Sequence, residues 1–339
     1  MNRIGNLPIG MTLVAIMIGS VGCQIQAQDS GAVQAPMFEV DPLWPKPLPN
    51  HWVLGSAIGV TVDSEDHIWI VHRGNGNLRT ELGASTDPPT GECCLPAPNV
   101  LEFDQEGNLL NSWGGPGDGY DWPESNHGIT VDHMDNLWIG GNGGNDAHML
   151  KFAQDGTFLA QFGTPGANTG SHDTENFGRV AKIAFDASAN EAYIADGYGN
   201  RRVAVIDMNT GEFKRYWGAY GNEPDDTDIG RYNPDDPPAQ QFRTPVHCAE
   251  PSNDGLVYVC DRPNDRVQVF QKDGTFVSEM FIATQTLGDG STWDIAFSKD
   301  PEQKFIYLAD GKNMKVYIIE RETMEVLTSF GDGGRQPGL

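Results

Sequence analysis

The sequence predicts an all-β fold, a β-propeller of repeated four-stranded blades, on three observations: turn-rich composition, a phrase that recurs five times, and a second hairpin after each recurrence. The 339 residues include 41 Gly and 22 Pro, and only 38% are hydrophobic. Many turns between short strands suit a sandwich, barrel or propeller better than a helical protein. The formal net charge is −25, a field that repels polyanions and excludes nucleic acid as a partner.

The recurrent phrase is a short apolar run, a polar turn, then an alternating run carrying an aromatic residue. It reads IGVTVDSEDHIWIVHR, HGITVDHMDNLWIGG, AKIAFDASANEAYIADG, HCAEPSNDGLVYVCDR and WDIAFSKDPEQKFIYLADG, with landmarks Trp69, Trp138, Tyr193, Tyr258 and Tyr307. A second hairpin follows each one, as in MLKFAQDGTFLAQFG, and turns such as Asp155-Gly156 and Asp273-Gly274 supply the positive φ that hairpins favour. Two hairpins make one four-stranded sheet, and such sheets arranged radially make a propeller.

The blades fall at about 56–114, 126–163, 179–218, 244–282 and 291–331, inside a propeller spanning 50–339. Residues 50–55 (NHWVLG) resemble the closing strand of a blade, as in 214–218 (KRYWG), yet have no evident inner strands to join. Residues 331–339 read as a linker into a further blade. The expectation is therefore a six-bladed design with five complete blades and an orphan closing strand at 50–55.

At the N-terminus, Arg3 precedes an uncharged apolar run at 11–21, too short to span a bilayer comfortably. Residues 1–27 thus read as an export signal and 28–49 as a segment leading into the propeller. Cys23, after Ser20-Val21-Gly22, fits a lipid-anchor motif whose first position is atypical, and cleavage after Ala27 fits as well. The protein is expected to be exported, whether periplasmic, secreted or lipid-anchored, and to meet a membrane only through Cys23. Export permits disulfides, and Cys248 and Cys260, on two runs of one hairpin, are placed to form one.

Aligning the inner strands puts Ile58, His127, Ala181, His247 and Trp293 at one level of the channel. Two imidazoles converging in a narrow channel suit a metal, whose nitrogen ligands must lie roughly 2.0–2.1 Å from it. At the rim, after the second strand of a blade, stand His72-Arg73, Tyr198 and Asp261-Arg262. Arg73 can bind a carboxylate, and Tyr198 can serve in proton transfer.

These motifs carry a resemblance. VDSEDHIWIVHRG, NHGITVD, IADGYGNRRV and TPVHCAEPSNDGLVYVCDR resemble the NHL-repeat propeller of the peptidyl-α-hydroxyglycine α-amidating lyase family, its exported bacterial members above all, from about Phe38 to Leu339. The resemblance implies zinc ligation by His127 and His247, substrate binding by Arg73, catalysis by Tyr198, and a structural calcium on the backbone carbonyls of Val60 and Ile129. It also implies a third zinc histidine and a calcium aspartate from a sixth blade that this sequence lacks, and Gly199 stands where the animal enzyme has cysteine.

The leading expectation is a zinc-dependent lyase that cleaves an α-hydroxyglycine-type amide to amide and glyoxylate, with a small-molecule or peptide-terminal substrate. A non-catalytic binding propeller is the second reading, and a calcium-dependent lactonase the third.

Overall fold

The computed structural model describes residues 33–74 and 81–334. The expected export signal, Cys23 and the end of the 331–339 linker lie outside the described residues. Among the described residues no helix is long and apolar enough to cross a membrane.

Five antiparallel four-stranded blades form. Blade one is Ser56–Val62, Ile68–Arg73, Val100–Phe103 and Leu109–Trp113, and blade two is Asn126–Val131, Leu137–Gly141, His148–Phe152 and Phe158–Gly163. Blade three runs Lys182–Asp186, Glu191–Asp196, Arg202–Asp207 and Phe213–Trp217. Blade four runs Val246–Pro251, Leu256–Asp261, Arg266–Gln271 and Phe276–Phe281, and blade five Asp294–Phe297, Phe305–Asp310, Lys315–Glu320 and Glu325–Phe330. Strands lie in chain order from the channel outward, and the first strand of each blade packs beside the first strand of the next, from one through five. No comparable contact joins the fifth blade to the first among the described residues.

Burial follows from position in this row. In blade two the strand Leu137–Gly141 is buried on both faces, whereas Phe305–Asp310 of blade five alternates between buried and half-buried residues. A blade with neighbours on both sides hides both faces of its middle strands; an end blade hides one. Between blades the core is aliphatic and aromatic, for example Trp138 stacked on Phe162 at 4.9 Å. Emptying such a site, as in Trp138→Ala, costs about 3–5 kcal/mol.

Each expected strand phrase is explained locally by its turn. In blade one Asp63 Oδ1 accepts the backbone N–H groups of Glu65 and His67, and Oδ2 accepts the Trp69 indole at 2.9 Å. Asp132 repeats this in blade two with Met134, Asn136 and Trp138. One carboxylate thereby caps the turn and anchors the landmark tryptophan. Cys248 and Cys260 are directly opposed on neighbouring strands and disulfide-bonded, with Cα atoms 4.8 Å apart.

The expectation for 50–55 is corrected. Trp52–Val53 joins no blade; it pairs in parallel with Leu95–Pro96, in the long loop of blade one. Trp52 and Leu54, with Trp44 and Leu48, pack on Ile70, Leu101 and Phe103. They cover the outward face of blade one, which has no neighbouring blade, and burial of that apolar face fixes the segment there. Further upstream, Phe38 lies against Tyr307 (5.4 Å) and Phe330 (5.6 Å) of blade five, while Trp44 stacks on Phe103 of blade one. Residues 38–46 are thus an extended strap from the fifth blade to the first, held at its far end by the Lys46 N–H donating to Gly107 O.

Candidate functional site

The inner strands present side chains to the channel through repeated β-bulges. Register shifts fall at Ile58 in blade one, beside His127 in blade two and at His247 in blade four. A bulge re-aims a side chain without ending the strand, and Ile58, His127, Ala181 and His247 line one small cavity. The loop between the second and third strands of blade three brings Tyr198 over it. Gly197 makes this possible, because a Cβ there would stand 2.0 Å from Val246 O.

At the centre, Tyr198 Oη lies 3.1 Å from His127 Nε2 and 3.0 Å from His247 Nε2. The other ring nitrogens settle the tautomers. His127 Nδ1 faces Ala181 O at 2.7 Å and His247 Nδ1 faces Trp293 O at 2.5 Å. A carbonyl only accepts, so both Nδ1 atoms carry hydrogen and both donate. Burial lowers His127 to about 4, with the Arg73 and Arg262 charges adding to the effect against the Ala181 hydrogen bond. Burial, then His127 and Arg262, hold His247 well below its ordinary value. Both rings are neutral at pH 7, and both Nε2 atoms are acceptors. Tyr198 has one hydrogen to donate, so one of the two lone pairs has no donor.

Cationic groups surround the hydroxyl. The Arg262 side chain is buried, donates from Nη1 to Tyr198 Oη at 3.3 Å, and stacks over Tyr198 (5.6 Å) and Trp293 (4.6 Å). Its Nε is buried with no hydrogen-bond partner. Arg179 lies over the Tyr198 ring at 6.0 Å. Arg73 is half-buried and donates to two neutral oxygens, Asn126 O (3.0 Å) and Asn142 Oδ1 (2.7 Å), and burial lowers its pKa against the Tyr198 and Asp146 charges. In a chain of net charge −25, three guanidinium groups near one tyrosine, one of them also 3.9 Å from Asp289 Oδ1, concentrate positive charge locally.

The structure brings His127, His247 and Tyr198 into contact, with Arg73 near them. Arg262, named at the rim by sequence but given no role, is the closest cation to the hydroxyl. Its signal was present, since Asp261-Arg262 occupies in blade four the place that His72-Arg73 occupies in blade one. Among the described residues no third His, Cys, Asp or Glu joins His127 and His247.

Val60 and Ile129 border the same cavity lower in the channel, together with Lys182 and Asp294. Here Lys182 Nζ lies 2.7 Å from Asp294 Oδ1 and 2.8 Å from Glu250 Oε1. Burial alone would lower the lysine, but Asp294 and Glu250 outweigh it and raise it. The acidic groups at this level already have a cation, so a calcium ion beside the Val60 and Ile129 carbonyls does not fit them. Lys182 was not singled out by sequence, because it lies one residue off the aligned apolar position Ile183.

No protein-family model matches the chain. NHL repeat-containing protein 3 from Mus musculus is 25% identical over 311 residues, covering 90% of this chain and 73% of that protein. Peptidyl-glycine alpha-amidating monooxygenase B from Xenopus laevis is 29% identical over 162 residues, 45% of this chain and 16% of that protein. Among solved structures, a virginiamycin B lyase from Staphylococcus aureus aligns over 85% of this chain and 73% of its own, at 14% identity and TM-score 0.49, too distant to bear on chemistry. The chain is a five-bladed β-propeller that resembles the NHL repeat-containing proteins. Within that class it resembles the amidating enzymes, the relatives that share its propeller motifs over nearly half its length.

Proposed function

We propose that the protein is a metal-dependent lyase that cleaves the C–N bond of an α-hydroxyglycine-type amide, giving the amide and glyoxylate. The observation that carries this reading is the convergence of two neutral imidazole Nε2 acceptors on a single hydroxyl. Two lone pairs aimed at one point are mismatched to one O–H and suited to one cation. The Nδ1–H donors to Ala181 and Trp293 fix tautomer and ring orientation, as partners of metal-bound histidines do.

His127 and His247 would hold zinc, which when bound lowers the pKa of an oxygen placed on it. Tyr198, displaced from the two nitrogens, relays the proton: its oxygen takes the proton of the substrate hydroxyl as its own phenol hydrogen leaves toward the amide nitrogen. Arg262 and Arg73 take the substrate carboxylate, the former with an Nε that has no partner within the protein. As the carbonyl of glyoxylate forms, the C–N bond breaks, and the proton held by Tyr198 goes to the leaving amide nitrogen. Atoms balance with no oxidant or water.

Two ligands are one fewer than a catalytic zinc ordinarily keeps. We therefore retain the six-bladed design as part of the proposal, with the third ligand supplied by a further blade. Support comes from the end blades: Phe330 and Met314 are exposed, and a cleft of about 690 Å³ separates Phe38 and Pro42 from blade five. On the N-terminal sequence we assign the protein an exported location and a small-molecule or peptide-terminal substrate. The lactonase reading loses ground because the channel carboxylates are already paired with Lys182.

The test is glyoxylate release from an α-hydroxyglycine amide with added zinc, for the chain as it stands and for one extended by a blade carrying histidine. Turnover that rises with the added blade supports the reading, and Tyr198→Phe should lower kcat while leaving zinc bound. Full zinc occupancy without turnover on any such amide would replace the lyase with a binding propeller.

A further inference from the structure

The repeat itself supplies a comparison between equivalent positions in blades one and two. In blade two, Asp132 anchors the Trp138 indole, and its Oδ2 also receives the Lys151 ammonium at 3.1 Å, which lies over the Trp138 ring at 4.9 Å. Lys151 faces Trp138 across the strand pair, and in blade one the residue facing Trp69 in the same register is Glu102. Asn136, four residues after Asp132, is matched by His67, four residues after Asp63. Blade one has therefore lost its cation and gained a second carboxylate and an imidazole.

We propose that Asp63, His67 and Glu102 form a metal site for a divalent cation of the zinc class. His67 Nδ1 lies 2.9 Å from Glu102 Oε1 and 3.7 Å from Asp63 Oδ2, and one ligand atom from each of the three residues lies within 4.8 Å of the others. A tetrahedral ion with bonds of about 2.0–2.1 Å sets its ligands about 3.3–3.4 Å apart, so small side-chain adjustments close the site. One imidazole nitrogen with two carboxylate oxygens favours zinc over calcium or magnesium, which take all-oxygen shells. Asp63 is buried and immobilised by its turn; its Oδ2 accepts the Trp69 indole and the Gln154 amide at 2.9 Å, the ion would displace the Gln154 amide, and Asp132 shows that an oxygen bonded to an indole still accepts a cation.

The site lies at the opposite end of the blade from Arg73. Ser56 pairs with Arg73 at one end of the hairpin and Val62 with Ile68 at the other, just before Asp63. Seven residues of strand separate the ends, about 20 Å, so this metal is independent of the channel histidines and of any reading of them.

The experiment uses the full chain carrying His127→Ala and His247→Ala, so that the channel contributes no imidazole. After zinc loading and dialysis it should retain one zinc per chain by elemental analysis and melt at a higher temperature than its chelated form. Glu102→Lys rebuilds the blade-two pair and should fold, lose the zinc and lose the zinc-dependent shift; His67→Gln should do the same by deleting the imidazole. No zinc in the double variant, or zinc that survives both substitutions, would overturn the assignment and leave His67 as a hydrogen-bond partner of Glu102.

Discussion

The two levels of the channel are built on opposite terms. At the lower level one ammonium, Lys182, bridges two carboxylates at 2.7 and 2.8 Å. At the upper level, two histidine lone pairs share one hydroxyl and Arg262 Nε has no partner. Buried polar groups are normally satisfied, and the proposed function rests on the upper cluster falling short. The lower level holds a cation of its own; on the function proposed, the upper level takes its cation from outside the chain.

The sharpest way to break this contrast is at the histidines. In a Glu102→Lys background, which silences the blade-one site, His127→Ala or His247→Ala should abolish both zinc binding and glyoxylate release. Zinc retained in either variant would move the metal out of the channel. Next in size, Arg262→Ala should lower kcat/KM roughly 100-fold, since losing a buried charge that holds a carboxylate costs about 2–5 kcal/mol. The loss should fall mainly on KM, and an unchanged KM would remove Arg262 from the substrate.

Acid sharpens the comparison further. His127 titrates near 4 folded and about 6.5 unfolded, so the unfolded chain binds the extra proton between these values. Metal-free stability should therefore fall by about 3 kcal/mol as pH drops from 6.5 to 4. Urea denaturation of His127→Gln should show that much less acid sensitivity. At the lower level, Lys182→Met should cost about 2–3 kcal/mol, less than the 3–5 of a fully buried pair because Asp294 is partly exposed. That variant alone should be stabilised by added calcium; a parent stabilised by calcium would contradict the role given to Lys182.

The blades were legible because a phrase and its hairpin recur with turn chemistry that has a local cause, such as Asp63 and Asp132 capping turns and holding indoles. The histidines were legible for the same reason, since aligned phrases share a channel level. Residues 50–55 were not. Their apolar pattern fits a strand of any kind, and the partner that claims Trp52 and Val53 is an irregular loop 43 residues on. Lys182 and Arg262 escaped because their roles come from residues in other blades, Asp294 and Tyr198, and contacts between blades leave no local periodicity.

The strap between the end blades has a consequence for the order of events in folding. Phe38 meets Phe330 about 290 residues away in the chain. In an unstructured chain, bringing such distant ends together costs about 5 kcal/mol of entropy, far more than two half-exposed rings return. With all five blades in place the two partners already face one another, and the contact then forms at little cost. The strap behaves as a latch that closes last and opens first, and protease access to Phe38 reports whether the row of five blades behind it is in place.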